Sequence, residues 1–115
     1  MSPPSPVDLA HLSRYTGGDK SLNAEVLSLF AKQSGELLDQ LAQALRLGDA
    51  KIWRDITHSL KGGARGIGAF DLADTAAQAE DANPARDQGE ASRALGNIKA
   101  RTLAVTAFID TYLAL

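Results

Sequence analysis

The sequence contains no cysteine and only two histidines, His11 and His58. Without cysteine the chain cannot form a disulfide scaffold, a thiolate zinc site or an iron–sulfur cluster, and it has no cysteine nucleophile. With two histidines, a multi-histidine metal or haem centre is not expected either. We therefore expect no metal site and no cofactor bound by the chain itself.

The sequence also lacks an excess of basic charge and a long apolar run. Twelve basic and 14 acidic residues give a formal net charge of −2, without the basic surface that nucleic-acid binding usually requires. No apolar stretch reaches the length of a membrane span, and the first residues do not resemble a secretory signal. We expect a cytoplasmic protein that binds neither nucleic acid nor membrane.

What remains is typical of one globular domain. The 115 residues are 44% hydrophobic and 23% charged, which is enough for a single buried core. Three of the four prolines lie in residues 1–6, which we predict to be a flexible N-terminal segment. Residues 7–115 are predicted to form the domain.

The spacing of apolar residues predicts an all-α fold. They recur at intervals of three and four, and alanine and leucine are abundant. The predicted helices cover residues 9–15 after an Asp8 cap, 20–47 after an Asp19 cap, 50–66 after an Asp49 cap, and 70–81. A last helix is predicted to begin between residues 85 and 90 and to end at 112. Short connections then imply an antiparallel four-helix bundle with an additional short N-terminal helix.

The second and third helices each have an apolar stripe that we expect to face the core. In the second helix the stripe consists of Leu22, Val26, Leu29, Phe30, Leu37, Leu41 and Leu45. In the third helix it consists of Ile52, Trp53, Ile56 and Leu60. At about 100° per residue, the third-helix stripe lies about 120–220° from His58. His58 is therefore predicted to face solvent.

Basic residues surround His58 on this helix. Lys51, Arg54, Lys61, Arg65 and Gly62 all lie within about 60° of it. Residues 51–65 carry four basic side chains and one acidic one, a net charge of +3, whereas the rest of the chain carries 8 basic and 13 acidic side chains, a net of −5. This cationic helix face is a candidate anion-binding surface.

An exposed imidazole among cations suits the transfer of a negatively charged group. Neutral imidazole is a nucleophile, and the cations would screen the charge of a phosphoryl group attached to it. Lys61 could hold a phosphoryl oxygen, and Gly62 would let a partner's backbone approach the ring. Taken singly, an exposed histidine, a basic helix face and a helical glycine are more often plain surface or packing features. Their combination at fixed spacing favours a functional site.

The combination resembles the histidine-containing phosphotransfer (HPt) domains of multistep phosphorelays. Their pattern is a histidine, Lys-Gly three and four residues later, and a glycine ten residues after the histidine. This chain has His58, Lys61, Gly62 and Gly68 at those positions. The resemblance extends over about residues 7–113.

The resemblance implies a phosphocarrier rather than a kinase, with no ATP site of its own. His58 would accept a phosphoryl group through Nε2 from the aspartate of one receiver domain and pass it to another. The implied partners are receiver domains of response regulators or hybrid histidine kinases, with Mg²⁺ bound by the receiver. Lys51, Arg54 and Arg65 are assigned to the partner-binding surface, and we expect a monomer.

One position departs from the family pattern. Many HPt domains have a glutamine 22 residues after the histidine, whereas this chain has Glu80 there and Gln78 two residues earlier. A carboxylate can accept the imidazole N–H and fix its tautomer, but it would repel a phosphoryl group that came too near. We assign Glu80, Gln78 and Gly68 supporting roles.

Two other functions fit the same bundle. One is a non-catalytic adaptor, a degenerate HPt domain that binds receivers without carrying phosphate, although such a protein would typically have lost His58. The other is the HPt input domain of a chemotaxis-type kinase, which is disfavoured because no kinase domain follows in this sequence.

Overall fold

A computed structural model of the chain describes residues 5–115. Residues 1–4, and with them most of the predicted flexible segment, lie outside the described part. Within it the chain forms five α-helices: α1 (Leu9–Thr16), α2 (Lys20–Leu47), α3 (Ala50–Gly66), α4 (Phe70–Ala79) and α5 (Gln88–Leu113). Residues 5–115 contain no β-strand, and the predicted all-α fold is confirmed. None of their helices combines the length and apolar character needed to cross a bilayer.

Aspartates cap four of these five helices at their N-termini. In each case the carboxylate accepts a hydrogen bond from the backbone N–H three residues later. Such a cap stabilises a helix by about 1 kcal/mol. The capping residues are Asp8, Asp19, Asp49 and Asp87. The first three lie where the sequence predicts them, and Asp87 places the start of α5 inside the expected interval.

The four longer helices pack as a bundle around one apolar core. α2 packs against α3 and α5, and α4 packs against the same two helices. Only Gly48 and Asp49 separate α2 from α3, so these helices are antiparallel. Trp53, Leu41 and Ile98 are completely buried between the helices. The antiparallel four-helix bundle with a short N-terminal helix is confirmed.

The buried side of α3 is rotated from the stripe expected from the sequence. Ile52 is 40% exposed, and the buried residues are Trp53, Thr57, Leu60 and Ala64. The centre of the buried side therefore lies about 60° further round the helix than predicted. Thr57 can be buried because its hydroxyl donates to the carbonyl of Trp53 at 2.9 Å, which satisfies the polar group without water.

Smaller differences of the same kind occur in α2 and α4. Leu22 and Leu29 of the predicted stripe are exposed, as is Phe70 at the start of α4, whereas Asn23 and Ser34 are buried. Ser34 donates to the carbonyl of Ala31, so a polar side chain again takes a core-facing position. α4 ends at Ala79, two residues before the predicted end.

The turn between α3 and α4 holds the N-terminal segment against the bundle. Gly68 has a φ of 84°, and its carbonyl accepts a hydrogen bond from the Asp8 N–H at 2.9 Å. A Cβ atom at Gly68 would lie 2.6 Å from the Asp8 carbonyl oxygen. The adjacent Val7 is buried. Gly68 thus provides both the left-handed backbone and the space that this contact requires.

We expect Gly68→Ala to destabilise the fold strongly. The left-handed φ and the clash with Asp8 should together lower the free energy of unfolding by about 2–4 kcal/mol, and the Tm by roughly 10 °C. Gly66→Ala is the matched control, because a Cβ there meets no atom within 4 Å and φ is not positive. Thermal unfolding followed by circular dichroism measures both variants, and equal melting temperatures would contradict the structural role of Gly68.

Candidate functional site

His58 lies at the middle of α3, on the side of the helix that faces away from the core. Its side chain is 72% exposed. The rotation of the buried side toward Thr57 does not bring His58 into the core, because the histidine remains well over 90° from the centre of that side. The imidazole is therefore accessible to a partner protein.

Two further side chains meet beside the imidazole. Glu80 Oε1 lies 3.4 Å from His58 Nδ1 and 2.9 Å from Lys61 Nζ. The side chains of Lys61 and Glu80 are 21% and 23% exposed, and Oε1 itself has essentially no solvent-accessible surface. We refer to His58, Lys61 and Glu80 as the imidazole cluster.

The core fixes the position of Glu80. Glu80 directly follows the last residue of α4, and the indole N–H of Trp53 donates to the carbonyl of Ala79 at 2.8 Å. This hydrogen bond is buried and joins the end of α4 to α3. The side of α4 facing the core consists largely of alanines, which allow a close approach of the two helices. The carboxylate is therefore attached to a rigid support next to His58.

Lys61 favours the ionised form of Glu80. Its short contact lowers the pKa of the Glu80 carboxyl, and this effect outweighs the partial burial, which acts in the opposite direction. His58 contributes to the same lowering to a smaller extent. The 3.4 Å contact between Oε1 and Nδ1 is a close contact without hydrogen-bond geometry. It brings a carboxylate to the Nδ1 side of the ring and leaves Nε2 on the side away from Glu80.

The other basic residues of α3 differ in how well they are neutralised. Lys51 donates to Asp55 at 2.9 Å, and this hydrogen bond raises the pKa of Lys51. Arg54 and Arg65 are exposed, and neither has a carboxylate oxygen of residues 5–115 within 4 Å. The free cationic charge on this face is thus carried mainly by the two arginines.

Gly62 leaves open space on the surface of α3. A Cβ atom added there would meet no atom within 4 Å, whereas one at Gly63 would lie 3.6 Å from the ring of Phe30. Internal packing therefore does not require the glycine at 62. Bare backbone at this position, next to His58 on the helix face, leaves room for a partner.

The structure does not bring Gln78 to the imidazole. Its exposed side chain lines a groove between α4 and α5, together with Arg93 and Asn97. Because Gln78 and Glu80 are two residues apart on a helical backbone, their side chains project about 200° apart. The supporting role predicted for Gln78 therefore lacks a structural basis, and Glu80 is the residue that contacts His58.

Trp53 contributes to the site in a way that the sequence did not predict. Its indole N–H holds the end of α4 and thereby the residue that faces His58. A signal was present, since a buried tryptophan needs a hydrogen-bond acceptor for its N–H. The sequence did not indicate which carbonyl would supply it.

Comparison with known proteins agrees with the fold described above. The model of the Hpt domain family matches residues 25–110, well over half of the chain. The fold is similar to the crystal structure of histidine-containing phosphotransfer protein B (HptB) from Pseudomonas aeruginosa PAO1, with a TM-score of 0.84 and 25% sequence identity over 96% of this chain and 95% of that one. A comparison with curated protein sequences gave no significant match. From the family match and the shared fold, the chain belongs to the Hpt domain family, the histidine-containing phosphotransfer domains of phosphorelays.

Proposed function

We propose that His58 is the residue that carries the phosphoryl group and that Nε2 is its nucleophilic atom. The observation that carries this proposal is the imidazole cluster: an exposed ring whose Nδ1 faces a carboxylate 3.4 Å away. A carboxylate at Nδ1 favours the tautomer with the lone pair on Nε2. Nε2 is also the nitrogen turned away from the negative charge of Glu80.

The transfer then proceeds as an in-line displacement between two proteins. The Nε2 lone pair attacks the phosphorus of a receiver's aspartyl phosphate. The N–P bond forms as the P–O bond to the aspartate breaks, and the aspartate leaves as a carboxylate. The Nδ1 proton stays on the ring, so the phosphorylated ring is positively charged and faces Glu80. The reverse displacement passes the group to a second receiver.

The protein acts in this proposal as a carrier with no ATP chemistry of its own. Mg²⁺ is expected to be bound by the receiver domain. Within residues 5–115, no three histidine or carboxylate side chains lie close enough together to hold a metal ion. A carrier that receives the group from one receiver and passes it to another must release each partner, so we expect each complex to be transient. We also expect the carrier itself to be monomeric.

Receiver domains are expected to dock on the exposed face of α3. Arg54 and Arg65 place unpaired positive charge on this face, which complements the acidic phosphorylation site implied for a receiver. The open surface at Gly62 lets the partner come close to the ring. An adaptor that binds receivers without carrying phosphate would use the same face, and the labelling of His58 distinguishes the two functions.

The identity of the phosphorylated residue can be tested by labelling. Incubation with a phosphorylated receiver should place an acid-labile, alkali-stable label on the wild-type protein, because phosphohistidine has this stability. His58→Gln should remove the label. The matched control is His11→Gln, since His11 packs against the rings of Tyr15 and Phe70 on α1 and α4. A label that persists in His58→Gln shows that His58 is not the carrier, and a wild-type protein that binds the receiver without acquiring label is the adaptor.

The charge of Lys61 is expected to affect the rate of phosphoryl transfer. Replacing its ammonium in Lys61→Ala should slow phosphoryl transfer from a receiver by about tenfold to a hundredfold, because a charge positioned at the site is lost. Rapid-quench kinetics with a phosphorylated receiver measures the rate. Lys99→Ala, which removes an exposed lysine on α5, should transfer at the wild-type rate. Equal rates for the two variants would remove Lys61 from the mechanism.

The two exposed arginines of α3 are expected to contribute to receiver binding. The double variant Arg54→Ala/Arg65→Ala should weaken receiver binding several-fold at low ionic strength, and the difference should shrink in high salt because the interaction is electrostatic. Arg86→Ala/Arg93→Ala removes the same charge from exposed positions outside α3 and serves as the control. Calorimetric titration at two salt concentrations tests both. Equal weakening by the two double variants would place docking elsewhere.

A further inference from the structure

One acidic side chain, Asp55, lies on the face of α3 that carries His58. Residues 50–66 contain no other aspartate or glutamate. From the helical period, Asp55 lies about 60° round the helix from His58 and roughly one turn before it. Lys61, which contacts Glu80, lies about 60° from His58 in the opposite direction. Asp55 therefore flanks the imidazole on the side away from Glu80, which is the side of Nε2.

A weak ion pair neutralises Asp55 in the free protein. Lys51 Nζ donates to Asp55 Oδ2 at 2.9 Å, and the two side chains are 83% and 56% exposed. An exposed pair of this kind contributes little to stability, and a lysine four residues before the acid is the less favourable order on a helix. Among residues 5–115, Asp55 forms no other salt bridge. Lys51 can therefore be exchanged for another cation at little cost.

Docking of a receiver would remove water from Asp55. A partner that brings a phosphoryl group to Nε2 must cover the surface around the ring, and an interface of ordinary size extends well beyond one helical turn. A carboxylate that is covered without a cation loses its hydration, which destabilises the complex. A second carboxylate opposite it would add repulsion. The stability of the complex therefore depends on the charge that the receiver presents to Asp55.

We propose that Asp55 is a specificity-determining residue, which selects receiver domains that place a basic side chain opposite it. Lys51 pairs with the carboxylate until such a receiver docks. This inference rests on the proposed function, because it concerns the choice among partners that exchange a phosphoryl group with His58.

The neighbouring arginines make the selection directional. Arg54 and Arg65 are exposed and have no carboxylate oxygen of the described residues within 4 Å, so they favour acidic groups on a partner. Asp55 favours the opposite charge at one position between them. A receiver with a basic side chain at that position and acidic groups around it fits the face in one orientation, whereas a uniformly acidic surface is repelled by Asp55. The mixed charges thus determine both the partner and its register on α3.

A panel of phosphorylated receiver domains tests this selection. The kcat/KM for phosphoryl transfer is measured for wild type and Asp55→Asn with every receiver of the panel. Asp55→Asn should lower kcat/KM for the receiver that the wild type prefers by about fivefold to tenfold. For receivers that the wild type uses poorly, kcat/KM should stay the same or rise, so the preference shrinks. An equal change for all receivers, or no change for any, overturns the inference.

Asp74→Asn is the matched control for the loss of one negative charge. Asp74 is exposed on α4 and lies one turn before Gln78, on the side of that helix that faces away from His58. The preference among receivers should therefore remain that of the wild type. Loss of preference in Asp74→Asn equal to that in Asp55→Asn would show that net charge, and not the position of Asp55, decides the choice.

A charge exchange between the two proteins separates pairing from a structural effect. Asp55→Lys should lower kcat/KM for the preferred receiver by more than about tenfold. The exposed lysines and arginines that surround the phosphorylation site of that receiver, but do not belong to it, are then replaced by glutamate one at a time. One of these receiver variants should react poorly with the wild type and well with Asp55→Lys. If none restores transfer to Asp55→Lys, the inference is wrong.

The proposed function and this inference fail in different ways. Wild-type protein that no receiver phosphorylates on His58 contradicts the proposed function. Wild-type protein that is phosphorylated there, with the same preference among receivers in Asp55→Asn, contradicts the inference alone. Thermal unfolding of each variant identifies any loss of rate that comes from loss of fold.

Discussion

The buried hydrogen bond from the Trp53 indole to the carbonyl of Ala79 determines where the site is assembled. It joins the helix that carries His58 to the end of the helix that delivers Glu80. A buried indole N–H without an acceptor would be costly, so this hydrogen bond favours one position of the end of α4 along α3. The carboxylate then meets the ring without any contribution from a flexible loop. The chemistry at the surface thus depends on a contact in the core.

Much of the fold follows from the sequence because it depends on local interactions. The capping aspartates, the left-handed glycines and the three-and-four spacing of apolar residues act within a few positions of one another. They give the helix order and, apart from a few residues at the ends, the helix boundaries. The buried faces are predicted less well, because Thr57 and Ser34 satisfy their hydroxyl groups on their own helices and so tolerate burial. A hydropathy pattern does not show that a buried hydroxyl can be hydrogen-bonded within its own helix.

The features of the site that depend on one helix follow from the sequence, and those that depend on the packing of two helices do not. The exposure of His58 and the cationic face around it follow from one helix and its period, and a rotation of the buried side by about 60° leaves them unchanged. The contact of Lys61 with Glu80 joins two helices. It depends on how far α4 extends along α3, which tertiary packing decides. The helical period places the side chains of Gln78 and Glu80 about 200° apart, but the packing of α4 on α3 decides which of the two meets His58.

His58 lies inside a regular helix, with further turns of α3 on either side of it. Backbone amides in the middle of an α-helix are already bonded to carbonyls one turn back, so none points toward the ring to stabilise an oxyanion or to orient a water molecule. In the proposed function, α3 therefore supplies a nucleophile but no backbone donor that could stabilise an oxyanion. We therefore expect a phosphoryl group on His58 to hydrolyse slowly until a receiver domain approaches the ring.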